Sequence, residues 1–357
     1  MMIRNSGKIR PAWPLLPCLL LLLANTARAQ DKSEHVTVDK TDRTYVVHLP
    51  AGYAANGHYP VVVLFHGRQQ DAADMAGLTR FNQVADRYGI IAVYPNASAG
   101  RWNIGVQPPQ EQPRQAAPPR SRGGRGGIGF PGGGPMGRRG GGSGRGTGGQ
   151  SSQRQRTAQP DDLDFVNDML DKLASAYSVD ASRIYATGLS DGGFMTVKLG
   201  CSLANRFAAI APVGAEMPKT LTCVPSRLLP VLMINGTSDP VVPYKGGSSK
   251  TDSVATLSAR DSAQRWATLN NCGPKPQRTS LAPRAKGGKK TEVDTYTCQQ
   301  DTKVALYSVK DGGNTWPGGQ QFLPEKQVGK TSNDLDANEV IWKFLQPYRL
   351  AGSVPQS

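Results

Sequence analysis

Histidine is scarce in this chain. Its 357 residues hold four, His35, His48, His58 and His66, and none beyond. Chemistry in the later part of the sequence therefore cannot draw on a local imidazole. Cysteine is sparse too, and never falls in a C-x-x-C pair, so the spacing of a zinc ribbon or finger is missing. The sole long apolar run, LLPCLLLLLA, lies near the start and is shorter than the ~20 residues that span a bilayer. No later segment is apolar enough to cross. The glycine-rich stretch GGRGGIG has neither a strand before it nor a helix after it, so its phosphate-loop look is compositional. No metal and no cofactor is expected.

The N-terminus combines Arg4, Lys8 and Arg10, the apolar run and Ala27-Arg28-Ala29. A basic region, a hydrophobic region and an A-x-A signal in that order predict a secretory signal peptide over residues 1–29, cleaved after Ala29, and a secreted or periplasmic protein. Cys18 leaves with it. The remaining Cys201, Cys223, Cys272 and Cys298 are an even set for an oxidising compartment, which favours two disulfides. Three pairings can be drawn, and joining sequence neighbours, Cys201 with Cys223 and Cys272 with Cys298, closes the shortest loops.

The formal net charge of +15 misdescribes the folded part. Residues 111–160 hold nine arginines against Glu111, and the signal segment carries four more cations, leaving +3 for the rest. From 106 to 160 the chain is rich in Gly, Arg and Pro and too poor in apolar side chains to offset the entropy of ordering, which predicts a disordered insertion. Its RGG triplets resemble arms that bind RNA by phosphate attraction and arginine stacking. For an exported protein, contact with an anionic polymer or cell surface is the better reading and nucleic acid the poorer one.

What remains reads as a single domain, residues 30–350, interrupted at 106–160 and followed by a flexible tail, 351–357. HVTVD (35–39) and RTYVVHLP (43–50) alternate as an antiparallel pair. VVVLFHG (61–67), IIAVYP (90–95), RIYATG (183–188), FAAIAPVG (207–214), PVLMING (230–236) and KVALYSV (303–309) are continuous apolar runs, suited to strands buried on both faces. Phe165, Val166, Met169, Leu170, Leu173 and Tyr177 form one helical stripe, and Val340, Ile341 and Phe344 another. Strand and helix alternate, which predicts an α/β fold with a mostly parallel central sheet flanked by helices.

RIYATG, GLSDGG and GGFMTVKLGC make a strand, a tight turn and a helix. The G-x-S-x-G at Gly188, Ser190 and Gly192 thus has the context of a nucleophile elbow, where the serine hydroxyl projects from a strained corner. Oxyanion donors are expected from the backbone of Asp191 and of the loop at Gly67 and Arg68. Asp239, after PVLMING, has the chain position of a triad acid; Asp334 and Asp336 are rivals. Trp316 beside Asn314, and Trp102 before the insertion, are candidates for a substrate wall. His66 reads as a histidine packed at a strand end and bonded to backbone.

VVVLFHG, DLDFVNDMLDKLASAYSVDASRIYATGLSDGGFM, RFAAIAPVG, INGTSDPVVPY, GGNTWPGG and TSNDLDANEVIWKFL together resemble the secreted esterases of the polyhydroxybutyrate depolymerase type, relatives of feruloyl and acetylxylan esterases. The resemblance spans the mature chain apart from the insertion. It implies the α/β-hydrolase fold, ester hydrolysis through an acyl-enzyme on Ser190 with Asp239 orienting the base, and the two neighbouring disulfides. One position departs. Family members read GGHTWPGG, and here the histidine position is Asn314, which has no titratable nitrogen near neutral pH. Three explanations stay open: a relative that binds esters or polymers without turning them over, an unconventional base with His66 the candidate, and a substitution at 314. The reading adopted is a serine esterase acting on polyester or plant-polymer esters. The rival classes are an ester- or polymer-binding relative and an anionic-polymer or nucleic-acid module built on the RGG insertion.

Overall fold

The structure is a computed structural model that describes residues 29–105, 162–250, 254–284 and 286–351. The signal segment to residue 28, nearly the whole insertion and the tail beyond 351 lie outside the described residues.

Strands β1 (Gln30–Val38), β2 (Thr41–Leu49), β3 (Tyr59–Phe65), β4 (Ile91–Pro95), β5 (Val179–Leu189), β6 (Ala209–Val213) and β7 (Val231–Gly236) precede two short strands, β8 (Gly247–Ser248) and β9 (Ala255–Thr256). β10 (Gln277–Leu281), β11 (Thr291–Thr297) and β12 (Lys303–Val309) complete the set. The helices are α1 (Ala72–Thr79), α2 (Phe81–Tyr88), α3 (Asp162–Ala176), α4 (Asp191–Ser202), α5 (Ala259–Leu269), α6 (Glu325–Val328) and α7 (Ala337–Leu345). Ten strands form one sheet in the order β1-β2-β4-β3-β5-β6-β7-β12-β11-β10. Its centre, from β4 through β12, is parallel, and antiparallel pairs close both edges.

Alternation along the strands builds two cores. Val61, Val63 and Phe65 of β3 face a layer with Phe165 and Met169 of α3, Phe194 of α4 and Trp266 of α5. Val62 and Leu64 face the opposite layer, with Met75 of α1, Phe81 of α2 and Ile341 of α7. Central strands bury both faces, which is why they read as unbroken apolar runs. The expected mostly parallel sheet is present. β10 and β11 escape that pattern: QRTSL is exposed throughout because β10 is the edge strand, and TEVDTYT of β11, paired on both sides, mixes buried with exposed positions. Helices α1, α2 and α5 also went unread in the sequence.

Both neighbouring disulfides are present, Cys201–Cys223 at the end of α4 and Cys272–Cys298 joining the residues after α5 to the end of β11. Among the described residues no helix is long and apolar enough to cross a membrane. Closing loops with sequence separations of 22 and 26 stabilises chiefly by restricting the unfolded chain. Replacing Cys201 and Cys223 together by Ala should therefore lower the unfolding free energy in urea by about 3 kcal/mol. An unchanged midpoint and slope would show that this bridge contributes nothing.

Candidate active site

Ser190 stands alone between the last residue of β5 and the first of α4, at φ 56° and ψ −112°. A non-glycine residue there costs on the order of 1–3 kcal/mol and persists only where its surroundings hold it. Its own N–H bonds to the Val213 carbonyl at 2.9 Å, and its carbonyl accepts from Phe194 N–H at 2.9 Å. Glycines let the corner close. A Cβ on Gly188 would stand 2.4 Å from the Gly192 carbonyl oxygen, and one on Gly192 would stand 2.0 Å from the Phe65 carbonyl oxygen. The strand–turn–helix expected of G-x-S-x-G is thus what the backbone adopts, and it leaves Ser190 7% exposed.

Asp239 follows β7 in a tight turn. Its Oδ1 accepts Val241 N–H at 2.7 Å and Val242 N–H at 2.8 Å, which leaves Oδ2 for the Asn314 side chain. Asn314 Nδ2 donates to that Oδ2 at 2.7 Å and to the Gly214 carbonyl at 3.1 Å. Gly214 adjoins Val213, the residue that holds Ser190 N–H, so positions 190, 239 and 314 are tied to the adjacent ends of β5, β6 and β7. Glycines again permit the approach: a Cβ on Gly236 would lie 2.3 Å from the Gly312 carbonyl oxygen, and one on Gly313 would lie 2.2 Å from that of Val328.

Asparagine reproduces half of a histidine here. Its amide nitrogen, like an imidazole Nδ1, is bonded to Cγ and carries a hydrogen toward the carboxylate. Beyond it the imidazole would continue to Nε2, the atom that takes a proton from serine, and the amide carries no basic nitrogen at all.

The structure also assembles acid that the sequence reading missed. Glu216, two residues past Gly214, is 1% exposed. Its Oε1 accepts from Asn235 Nδ2 at 3.1 Å, while Oε2 and the Asn235 Oδ1 have no hydrogen-bond partner. Burial, and then the charge of Asp239, hold its carboxyl well above the ordinary range. Burial likewise pushes Asp239 from 3.8 to about 6, against the pull of the Asn314 amide, the Val242 and Val241 N–H groups and Lys250. The signal in the sequence was an acid directly behind an apolar strand, in APVGAE.

His66 is buried. Ala97 N–H donates to Nε2 at 3.0 Å, which obliges Nδ1 to carry the hydrogen it gives the Gly67 carbonyl at 2.7 Å. Burial lowers its pKa. The ring is the packed, backbone-bonded histidine expected, and neither nitrogen remains to accept a serine proton. The loop after β3 meets the start of α4, since a Cβ on Gly192 would also come within 2.6 Å of the His66 carbonyl oxygen. That brings the segments of Arg68 and Asp191 side by side. Gly67 N–H is held by Gln70 Oε1 at 2.9 Å and Gln69 N–H by the Gly100 carbonyl at 2.9 Å, ordering the backbone on either side of Arg68.

Neither tryptophan presents a wall. Trp102 is 3% exposed, donates Nε1–H to the His66 carbonyl at 2.9 Å and packs edge-on against Phe65. Trp316 is fully buried in the opposite layer and donates to Asn338 Oδ1 at 2.8 Å. Each indole is spent on packing with its N–H satisfied inside the fold, which corrects the expectation of direct substrate contact. Asp336 caps α7 through Glu339 N–H and pairs with Arg284, and Asp334 accepts Lys289 N–H, so neither stands as a rival acid. The chain on either side of the insertion converges at one point: Asp162 Oδ2 accepts Asn103 N–H at 2.5 Å and its Oδ1 takes Arg43 at 2.6 Å, while Lys198 of α4 holds the Asn103 carbonyl at 2.7 Å.

Two tests follow from this geometry. Gly192→Ala should lose folded protein or roughly 3 kcal/mol or more, because the Phe65 carbonyl is backbone and cannot step aside; a variant as stable as the parent would show the corner to be slack. The second concerns pH. Asp239 binds its proton more tightly folded than unfolded, so this part of the stability is full below its ordinary pKa of 3.8 and is lost as pH rises to about 6. Urea unfolding should show a fall over that interval of up to about 3 kcal/mol from this group. In Asp239→Asn the fall should be correspondingly shallower, and equal pH slopes in the two proteins would refute the raised carboxyl.

Residues 43–103 match the family described as Esterase PHB depolymerase. NocK of Nocardia uniformis subsp. tsuyamanensis, named as an esterase, is 24% identical over 331 residues, covering 89% of this chain and 83% of NocK. Feruloyl esterase B of Piromyces equi is 32% identical over 161 residues, 43% of this chain, which spans 29% of that enzyme. Among solved structures, the acetyl xylan esterase from Aspergillus awamori is similar with a TM-score of 0.48 at 15% identity, covering 80% of this chain and 94% of that one. The chain is thus similar to esterases of the polyhydroxybutyrate depolymerase and feruloyl esterase type, and its fold sets a central parallel sheet between two helical layers with a strained serine corner at the sheet's C-terminal edge.

Proposed function

We propose that the protein is an exported serine esterase acting on carboxylic esters of the polyester or plant-polymer kind, with an acid–base relay left incomplete at position 314. The observation that carries this reading is the 2.7 Å bond from Asn314 Nδ2 to Asp239 Oδ2. An amide has taken the place of the base, and the acid still addresses it. In the reaction, the Ser190 oxygen bonds to the acyl carbon and the carbonyl oxygen gathers charge against the backbone of Asp191 and the Arg68 loop. The alcohol then leaves, and water releases the acyl group. Asp239 orients whatever occupies position 314 and balances its charge when that group is a cation. With asparagine there, the serine proton must go to solvent, and turnover rests on ester binding and oxyanion stabilisation alone.

The two disulfides suit an oxidising compartment, and the N-terminal signal pattern supplies the route to it. Polyester and feruloyl-type esters are named as substrates on the strength of the relatives. The neutral tautomer of His66, locked between Ala97 and Gly67, speaks against that ring as a substitute base.

Asn314→His should raise the hydrolysis rate of p-nitrophenyl acetate by about 10²–10⁴-fold, the range a positioned general base supplies. Adding Ser190→Ala should erase the gain, and fluorophosphonate labelling of Ser190 should accelerate in the histidine variant. A histidine variant no faster than the parent would defeat the placement of the base.

A further inference from the structure

A second cavity opens on the same edge of the sheet. About 350 Å³ in volume, it is framed by Thr237 directly after β7, Ser308 near the end of β12, and Arg260 on the first turn of α5. Strands β5 and β12 are separated by β6 and β7, so the cavity lies three strand spacings from the Ser190 corner, roughly 14 Å.

Each residue lining it carries a hydroxyl or a charge, and the charge is unbalanced. Three cations, Arg260, Lys290 and Lys310, meet one carboxylate, Glu292. Glu292 is already taken by Arg260 at 2.8 Å, and Asp294 adds a longer contact to the same guanidinium at 3.7 Å. Among the described residues Lys310 pairs only with Asp311, at 4.0 Å, and the other oxygen of Asp311 is held by Lys289. Lys290 has no ion pair among the described residues. Two ammonium groups thus face the space with little to neutralise them.

Hydroxyls line the rest. Tyr244 Oη and the buried Ser308 Oγ are 2.6 Å apart. In such a pair one hydroxyl spends its hydrogen on the other, and the second keeps a hydrogen to donate outward. No aliphatic or tryptophan side chain lines the cavity, so it is unsuited to an acyl chain. Cations and hydroxyl donors around a space of this size suit a small ligand that carries a carboxylate together with several hydroxyls.

We infer that this cavity is a binding subsite for a hydroxylated carboxylate, held by Lys290 and Lys310 at its charge and by Tyr244 and Ser308 at its hydroxyls. Its place on the esterase edge assigns it to the alcohol portion of a bound ester, a refinement that rests on the function proposed above. Uronic sugar units and open-chain hydroxy acids share this chemistry, and their binding separates them.

Isothermal titration of the mature chain with D-glucuronate, D-gluconate, D-glucose and acetate tests the assignment. One of the first two should saturate the protein at least tenfold more tightly than either D-glucose, which lacks the charge, or acetate, which lacks the hydroxyls. Preference for D-glucuronate identifies the sugar ring, and preference for D-gluconate the open chain. Lys290→Gln with Lys310→Gln should weaken binding at least tenfold, Ser308→Ala should weaken it as well, and added salt should weaken it in the parent. No saturable binding of either hydroxylated carboxylate, or unaltered affinity in the double lysine variant with its thermal midpoint retained, would overturn the subsite. The titration needs no turnover, so its failure leaves the esterase reading standing, and an inert Asn314→His variant leaves this one standing.

Discussion

The contact on which this molecule turns is the one between backbones at the strand-to-helix corner. Phe65 of β3 and Gly188 and Gly192 on either side of Ser190 meet so closely that no side chain fits between them. Two consequences share that cause. Ser190 is driven into the left-handed region, which lifts it off the line of β5, and the start of α4 is brought against the loop that follows β3. A strained serine corner and its approach to the loop after β3 therefore arise from a single act of packing. The cost of the strained residue is met by the two central core layers that hold β3, β5 and α4 in place.

Beside that corner, Asp239 faces an amide in place of a cation. A histidine at 314 would become a cation during turnover and would lower the Asp239 carboxyl by pairing with it. The amide offers a hydrogen bond only, and burial wins, so Asp239 sits near 6 and Glu216 well above the ordinary range. Two buried carboxyls on adjoining strand ends are an expensive feature for a scaffold to retain. The 2.7 Å bond across positions 239 and 314 satisfies one of the Asp239 oxygens.

The outer parts of the molecule differ in kind. Charge excluded from the apolar centre gathers on the late edge, where β11 and β10 run antiparallel beyond the buried β12 and expose polar side chains. Those strands extend the sheet past the Ser190 corner.

Local chemistry decided a great deal by itself. Buried strands had to be apolar on both faces, and the corner had to have glycine where a Cβ would strike a carbonyl, so β3, β5, β6, β7, β12 and the turn at Ser190 are legible in the order of residues. The lack of any histidine past residue 66 is likewise a fact of composition, and it leaves every position after Ser190 without an imidazole before any fold is known. Other matters belong to the tertiary structure. Exposed β10 carries no hydrophobic period and exists as a strand because β11 offers it an edge to pair with. Trp102 and Trp316 look like binding aromatics beside glycine-rich loops, yet their indoles are claimed by the His66 carbonyl and by Asn338, residues 36 and 22 positions away. Glu216 becomes part of the site because β6 and β7 are neighbours, and no local pattern reports which strands lie side by side. Sequence sets what each segment can tolerate; the burial, partners and charge of a side chain are set by segments distant in the chain, and only folding brings those together.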